Sequence, residues 1–281
     1  MKRLFLLDCS LLALLALTAG CTKESPVSPT AEQVVVQAYL FADEPISDIR
    51  LTRTLPLGSQ ETEAPPVNDA EVSLLKQGVE YKLVASQGDS GYYLYPKNDL
   101  AVRAGDDFQI LVRYGSLTIE AETSVPPAPD SVQVSSDSLV LSNDFGPPMG
   151  GPGGEEDSTG TLTVSWKRES SALYYVVVEC MEANPDTIES SGFFRGGGGG
   201  MRQMISTPTE ENNYQIQRFD LSYLGRHRAK VYRVNQEYTD LYGSRQQDSR
   251  DLNEPLTNIR NGLGVFSAFN STAVYFNVVQ R

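Results

Sequence analysis

This 281-residue chain is short of the side chains that build most catalytic and metal sites. It carries one histidine, His227, and three cysteines, Cys9, Cys21 and Cys180. Zinc sites usually draw on several His and Cys ligands, so this supply argues against one. Positive charge is scarce too. Lys and Arg number 23 against 36 Asp and Glu, a net charge of −13. Such an acidic chain repels nucleic acid and anionic head groups, so neither is expected as a general partner. Long apolar runs are missing: Leu11 to Leu17 is too short to cross a bilayer as a helix. Helical periodicity is also sparse, and a period of two dominates from Gln33 onward.

What is present begins with an address. Lys2 and Arg3 precede the apolar Leu11–Leu17 stretch, and small residues lead to Cys21, which reads as a secretory signal over residues 1–20. A cysteine at the cleavage point resembles the lipobox of bacterial lipoproteins, in which the thiol takes a diacylglycerol and the new amino group is acylated. Thr18 stands where Leu is usual, and Asp8 interrupts the apolar stretch. Removing Lys2, Arg3 and Asp8 leaves −14 on the mature chain. With Cys9 cut away and Cys21 lipidated, Cys180 has no disulfide partner, and stability must come from packed cores. Residues 21–32 are polar and proline-bearing, which suits a lipidated tether. Lys23-Glu24 partly resembles the Lys-acidic signal for surface display, so the expected location is the outer membrane, surface-exposed rather than facing the periplasm.

Alternation organises the rest. Val34–Tyr39 is a strand; Ile49 and Leu51 face opposite Arg50, Thr52 and Thr54; Phe108, Ile110 and Val112 share a face, as do Leu117, Ile119 and Ala121. Val125-Pro126-Pro127-Ala128-Pro129 cannot continue a ladder and marks a boundary. Beyond it, Leu162, Val164 and Trp166 alternate, then Tyr174, Val176, Val178 and Cys180, and finally Val274, Phe276 and Val278 in a strand from Ala273 to Val279. Only Asn235–Leu252 breaks the pattern: Val234, Tyr238, Leu241 and Tyr242 fit one helical face, with Asn235 as N-cap. The expected fold is all-β, two antiparallel immunoglobulin- or fibronectin III-like sandwiches at 33–127 and 128–281, with one short helix near the C-terminus.

Several motifs have the letters of chemistry without its context. Gly88-Asp89-Ser90-Gly91 matches the surroundings of a chymotrypsin-like serine, yet His227 lies far downstream rather than well before it, and these are ordinary turn residues. Gly196–Gly200 lacks the Gly-Lys-Ser/Thr of a phosphate loop. Glu155-Glu156-Asp157 and Asp106-Asp107 have no EF-hand spacing. No catalytic set, metal or cofactor is therefore expected. Arg226, His227, Arg228, Lys230 and Arg233 form one basic cluster, expected to pair with the chain's own carboxylates. Two glycine-rich inserts, 143–160 and 182–206, follow the first and third strands of the second sandwich. Strand alternation brings both to the same end, so Phe145, Met149, Phe193, Phe194 and Met201 are expected to gather at one pole as a partner-binding surface.

The opening Val34-Val35-Val36, then Leu51-Thr52-Arg53-Thr54, Gly105, Thr123-x-Val125-Pro126, Asn258-Ile259 and Gly262-Leu263-Gly264-Val265-Phe266 occur in an order that resembles a family of Bacteroidota outer-membrane lipoproteins. That family is domain of unknown function 4249, whose members are often encoded beside TonB-dependent receptors. The resemblance implies a β-sandwich lipoprotein bound to the outer membrane through its lipid. It also implies a non-enzymatic binding or accessory role in a TonB-dependent uptake system, with such a receptor as partner. A structural or adhesive envelope protein is the alternative. Four Asp-Ser/Thr-apolar tripeptides resemble the acceptor of Bacteroidota O-glycosylation, with Ser158 and Thr187 the best placed.

Overall fold

The computed structural model describes residues 33–55, 59–141, 160–170, 172–188, 201–244 and 257–280. Cys21, Phe145, Met149, Ser158, Phe193 and Phe194 lie outside them.

The first half forms β1 (Val34–Phe41), β2 (Asp48–Arg53), β3 (Glu71–Lys76), β4 (Val79–Lys82), β5 (Val84–Ala85), β6 (Tyr92–Leu94), β7 (Asp107–Tyr114) and β8 (Leu117–Ser124). The second half forms β9 (Asp130–Val134), β10 (Ser138–Leu141), β11 (Thr161–Lys167), β12 (Leu173–Cys180), β13 (Gln203–Ile205), β14 (Asn213–Gln217), β15 (Gly225–Val234), helix α1 (Gln236–Ser244) and β16 (Leu263–Gln280). The alternation in sequence becomes alternation in burial: Val34, Val36, Ala38 and Leu40 point inward from β1, and Leu162, Val164 and Trp166 from β11. A fully buried side chain of this kind contributes about 1.5–3 kcal/mol relative to exposure.

Two sandwiches result. In the first, β5-β6-β2-β1-β16 packs on β4-β3-β7-β8 around Val36, Leu51, Leu74, Ile110 and Phe266. In the second, β13-β12-β15-β16, with β10 on the other edge of β16, packs on β14-β11-β9 around Trp166, Tyr174, Val231 and Phe276. Most neighbours are antiparallel. The exceptions are β1 and β10, both parallel to β16, which departs from a purely antiparallel expectation. A parallel pair needs a long connection, and nearly the whole chain lies between β1 and β16.

β16 also corrects the domain division and its own predicted start at Ala273. Its first half, from Leu263 to Phe269, pairs with β1, and its second half pairs with β15, so one 18-residue strand serves both sandwiches. Ile259, Phe266 and Ala268 belong to the first core although they follow the boundary prolines. The run Val265–Phe269 holds no breaker that would stop the strand at the border. Gly264 makes the start possible: its φ is +106°, and an added Cβ would lie 2.0 Å from the Val36 carbonyl oxygen. Just before it, Asn258 donates to the carbonyls of Glu122 and Phe266, and Asn261 to that of Thr118. This segment covers the outer edge of β8, an edge otherwise open to pairing with another chain.

A third cluster fills the junction. Tyr175, Val177, Tyr232, Val234 and Phe269 are buried there, with Tyr39, Phe41 and Tyr238 against them. Phe269 stacks on Phe41 at 5.1 Å and meets Tyr238 edge-on at 5.0 Å. α1 thus half-buries Tyr238 against this cluster, while Val234 stays in β15. The Asn235 carbonyl accepts from the Thr239 amide, as an N-cap carbonyl does, and its side-chain amide reaches across to the Ser124 carbonyl at 2.6 Å. Asn270 donates to the Pro126 carbonyl at 2.9 Å and Thr272 to that of Pro129 at 2.8 Å.

Candidate functional site

β10 and β12 both run in the direction of β16. β10 is its direct parallel neighbour, and β12 lies two antiparallel pairings away through β15. Their C-terminal ends therefore emerge together, Leu141 beside Gln280 and Cys180 across from His227, which faces Phe276. The ends of β10 and β12, from which the connections 142–160 and 181–202 depart, lie at this pole. The connections follow the second and fourth strands of the second sandwich rather than the first and third, since β9 and β10 are separate strands. Equal parity still sends both the same way.

The base of the second insert is structured, a correction to reading 182–206 as one loop. Gln203–Ile205 adds β13 to the edge of β12, and Asp186–Ile188 runs beside Ser222–Leu224. Arg202 clasps the two limbs: its guanidinium donates to the carbonyls of Glu182 at 3.1 Å and Ala183 at 2.8 Å, while its own carbonyl accepts from Cys180 N–H at 2.9 Å. Gly225, at φ +97°, leaves room for the Glu182 side chain, which accepts from Arg226 N–H at 2.9 Å.

On this frame sit exposed apolar side chains. Met201 is 77% exposed and Met181 44%. Continuing the β12–β13 register by two places beyond Glu179 and Gln203 sets them across from each other. Phe219, 92% exposed, stands on a single 3-10 turn, Arg218–Asp220, whose Asp220 carboxylate accepts from Gln217 N–H at 2.8 Å. The Arg218 amide donates to the Gly160 carbonyl, which places Phe219 where the first insert returns. Periodicity gives no signal for Phe219, because the alternation of β14 ends at Gln217 and a 3-10 turn follows. Thr187 is also exposed, held in a bridge to Tyr223.

The other sequence candidates resolve as structural. The basic cluster pairs internally: Arg228 with Glu179, Lys230 with Glu44 at 2.6 Å, and Arg233 with Glu169 at 2.5 Å, while Arg226 lies over the Tyr275 ring at 4.7 Å. His227 is 2% exposed, stacked on Phe276, and burial lowers its pKa. Ser90 hydrogen-bonds Ser86 at 2.8 Å in the turn between β5 and β6, far in the fold from His227 on β15. Between the sandwiches lies a polar cleft of about 610 Å³ lined by Asp107, Glu122, Thr123, Asn235 and Glu237. Its polar groups largely satisfy one another: Thr123 donates to Glu237, and Ser124 to Asp107.

Fold and pole together define an all-β protein of two packed sandwiches in which two long connections depart from one end of the second. The chain belongs to the family described as Domain of unknown function (DUF4249), which matches residues 22–273. No curated protein matches significantly. Among solved structures, the two-domain fibronectin type III segment of chicken tenascin aligns with 88% of this chain and 98% of its own, at 10% identity and a TM-score of 0.24. The chicken CNTN1 FN1-FN3 domains align with 74% of this chain and 60% of their own, at 14% identity and a TM-score of 0.27. These likenesses carry nothing about activity.

Proposed function

We propose that this protein is a non-enzymatic binding component of the outer membrane, tethered by a lipid on Cys21, that serves a TonB-dependent uptake receptor through the insert-bearing pole. The observation that carries the reading is geometric. β1 and β16 start side by side, Val35 facing Leu263, so the tether joins at one end of β16 and the pole stands at the other. Eighteen strand residues separate them by roughly 55 Å along the chain axis. The apolar side chains of Phe219 and Met201 thus project from the end opposite the tether. An exposed apolar surface supported on rigid strands suits contact with another protein better than a mobile loop does.

The test is pull-down of the tagged full chain in mild detergent, wild type beside Phe219→Glu and Met201→Glu. The expected result is a TonB-dependent receptor barrel with the wild type and loss of that barrel from both variants. Matrix or host ligands in its place would establish the adhesive alternative. For the anchor, Cys21→Ser should abolish palmitate labelling and release the protein from membranes, since several acyl chains hold far more firmly than one. Full membrane retention of that variant would end the lipoprotein reading. Protease added to intact cells should remove the folded body; protection, with a surface lipoprotein cleaved in parallel, would place it on the periplasmic side.

A further inference from the structure

A second cavity, of about 510 Å³, lies at the tether end on the outer face of β1 and β2. Arg50, Thr52, Arg53, Thr54 and Gln37 line it, which puts the Leu51-Thr52-Arg53-Thr54 motif in its wall. Strand alternation explains most of the grouping: Leu51 points into the core, so Arg50 and Thr52 must point out, across from Gln37 and Val35 of β1. Arg53, of the same parity as Leu51, joins the lining at the strand's end. The Arg50 guanidinium rests over the Tyr92 ring, 5.5 Å from its centroid, which orients its donor edge. Its Nε is buried and, among the described residues, has no hydrogen-bond partner. Among the described residues no carboxylate pairs with Arg50, and the one acid in the lining, Glu63, is exposed. Nε is closed off from solvent, so a ligand in the cavity would meet the terminal nitrogens of the guanidinium, a fork that suits paired anionic oxygens.

We propose that this cavity binds a phosphate group, held by the guanidinium of Arg50 with Arg53 and the threonine hydroxyls around it. A guanidinium fork matches phosphate oxygens in pairs, whereas a carboxylate-rich chain of net charge −13 offers anions no general attraction. The cavity adjoins the start of the fold: the Gln33 amide donates to Thr54 Oγ1, and the Thr54 amide to the Gln33 carbonyl. A phosphate bound here would sit beside the emerging tether, within reach of a lipid head group if Cys21 is the anchor. The site itself depends neither on that anchor nor on the pole.

The test uses the full chain in neutral detergent at low salt, followed by phosphorus NMR and calorimetry. Two probes separate the sources: inorganic phosphate, and dihexanoyl-phosphatidylglycerol below its micelle concentration. Binding of either, weakened roughly tenfold or more in Arg50→Gln, partly kept in Arg50→Lys and unchanged in the exposed control Arg113→Gln, supports the site. Stronger binding of the lipid assigns it to a head group, and stronger binding of inorganic phosphate to a soluble phosphate. Urea midpoints for each variant exclude unfolding as the cause. If the wild type binds neither probe, or Arg50→Gln binds as well as wild type while Arg50→Lys stays folded, the proposal falls.

Discussion

Replacing Phe269 with alanine tests whether the two sandwiches are one cooperative body. The ring is 2% exposed and lies in contact with Tyr39, Phe41, Tyr175 and Tyr238 at 5.0–6.1 Å between centroids. A buried Phe→Ala change costs about 3–5 kcal/mol through lost burial and the cavity left behind. Each aromatic pair adds about 0.5–1.5 kcal/mol beyond burial, but four pairs sharing one ring do not sum. The expected loss is about 4–5 kcal/mol. Trp166 is the chain's only tryptophan and sits in the second core, so its fluorescence reports that sandwich alone. Far-ultraviolet dichroism reports both. In urea the wild-type curves should coincide, because β16 cannot leave one sheet without disturbing the other. Phe269→Ala should lower both midpoints and separate them, whereas Phe276→Ala should weaken the Trp166 transition first. A loss below about 1.5 kcal/mol with coincident curves would refute the idea that this cluster joins the units.

Gly264→Ala should be strongly destabilising, about 3 kcal/mol or more, because its Cβ would meet the Val36 carbonyl in a left-handed backbone. Gly78→Ala, at φ +79° with nothing within 4 Å, should cost only about 1–2 kcal/mol, and denaturant midpoints compare the two. His227 makes stability depend on pH. Burial holds its pKa below the ordinary 6.5, so the unfolded chain takes up a proton first as pH falls. Its contribution is full above about pH 7 and declines below about 6.5, by at most about 1.4 kcal/mol per pH unit. His227→Gln should flatten that part of the profile relative to wild type; identical slopes would count against the assignment. Loss of the host's O-glycosylation system should increase gel mobility if Thr187 or Ser158 is modified, with Thr187→Ala giving part of the same shift.

Much of this fold was legible because a half-buried strand declares itself by its period. β1, β7 and β11 bury the residues their alternation names, and Tyr238 marks the apolar side of α1. The start of β16 is hidden, since Val265–Phe269 is buried on both faces and shows no alternation to read. Its membership in the first sandwich is a long-range pairing that no local pattern records; the only trace is Gly264, whose need appears once Val36 is beside it. At the pole, parity of strands is enough to place the described ends of both inserts at one end of the second sandwich. Met201 stands out by its glycine neighbourhood, whereas Phe219 does not, because a single aromatic beside Arg218 and Asp220 looks like ordinary surface. The Arg50 cavity was invisible for a different reason: a buried donor without an acceptor is a property of three-dimensional surroundings, not of the letters Leu-Thr-Arg-Thr.

The prolines at 126, 127 and 129 invite the view that a stiff linker sets how the sandwiches sit. The contacts assign that task elsewhere. β16 passes through the border as uninterrupted strand, its own Phe269 packs into the junction cluster, and Lys230 on β15 pairs with Glu44 beyond β1. The linker is itself held to β16 by Asn270 and Thr272, which bind the carbonyls of Pro126 and Pro129, groups that any residue supplies. Replacing all three prolines with glycine should therefore lower stability, by about 0.4–1 kcal/mol for each through the freer unfolded chain. It should leave the arrangement of the units intact. Small-angle scattering of the folded variant is expected to match wild type in radius of gyration and maximum dimension. An expanded, flexible envelope for a variant that still unfolds cooperatively would show that the prolines, and not β16, hold the pole at its distance from the start of β1.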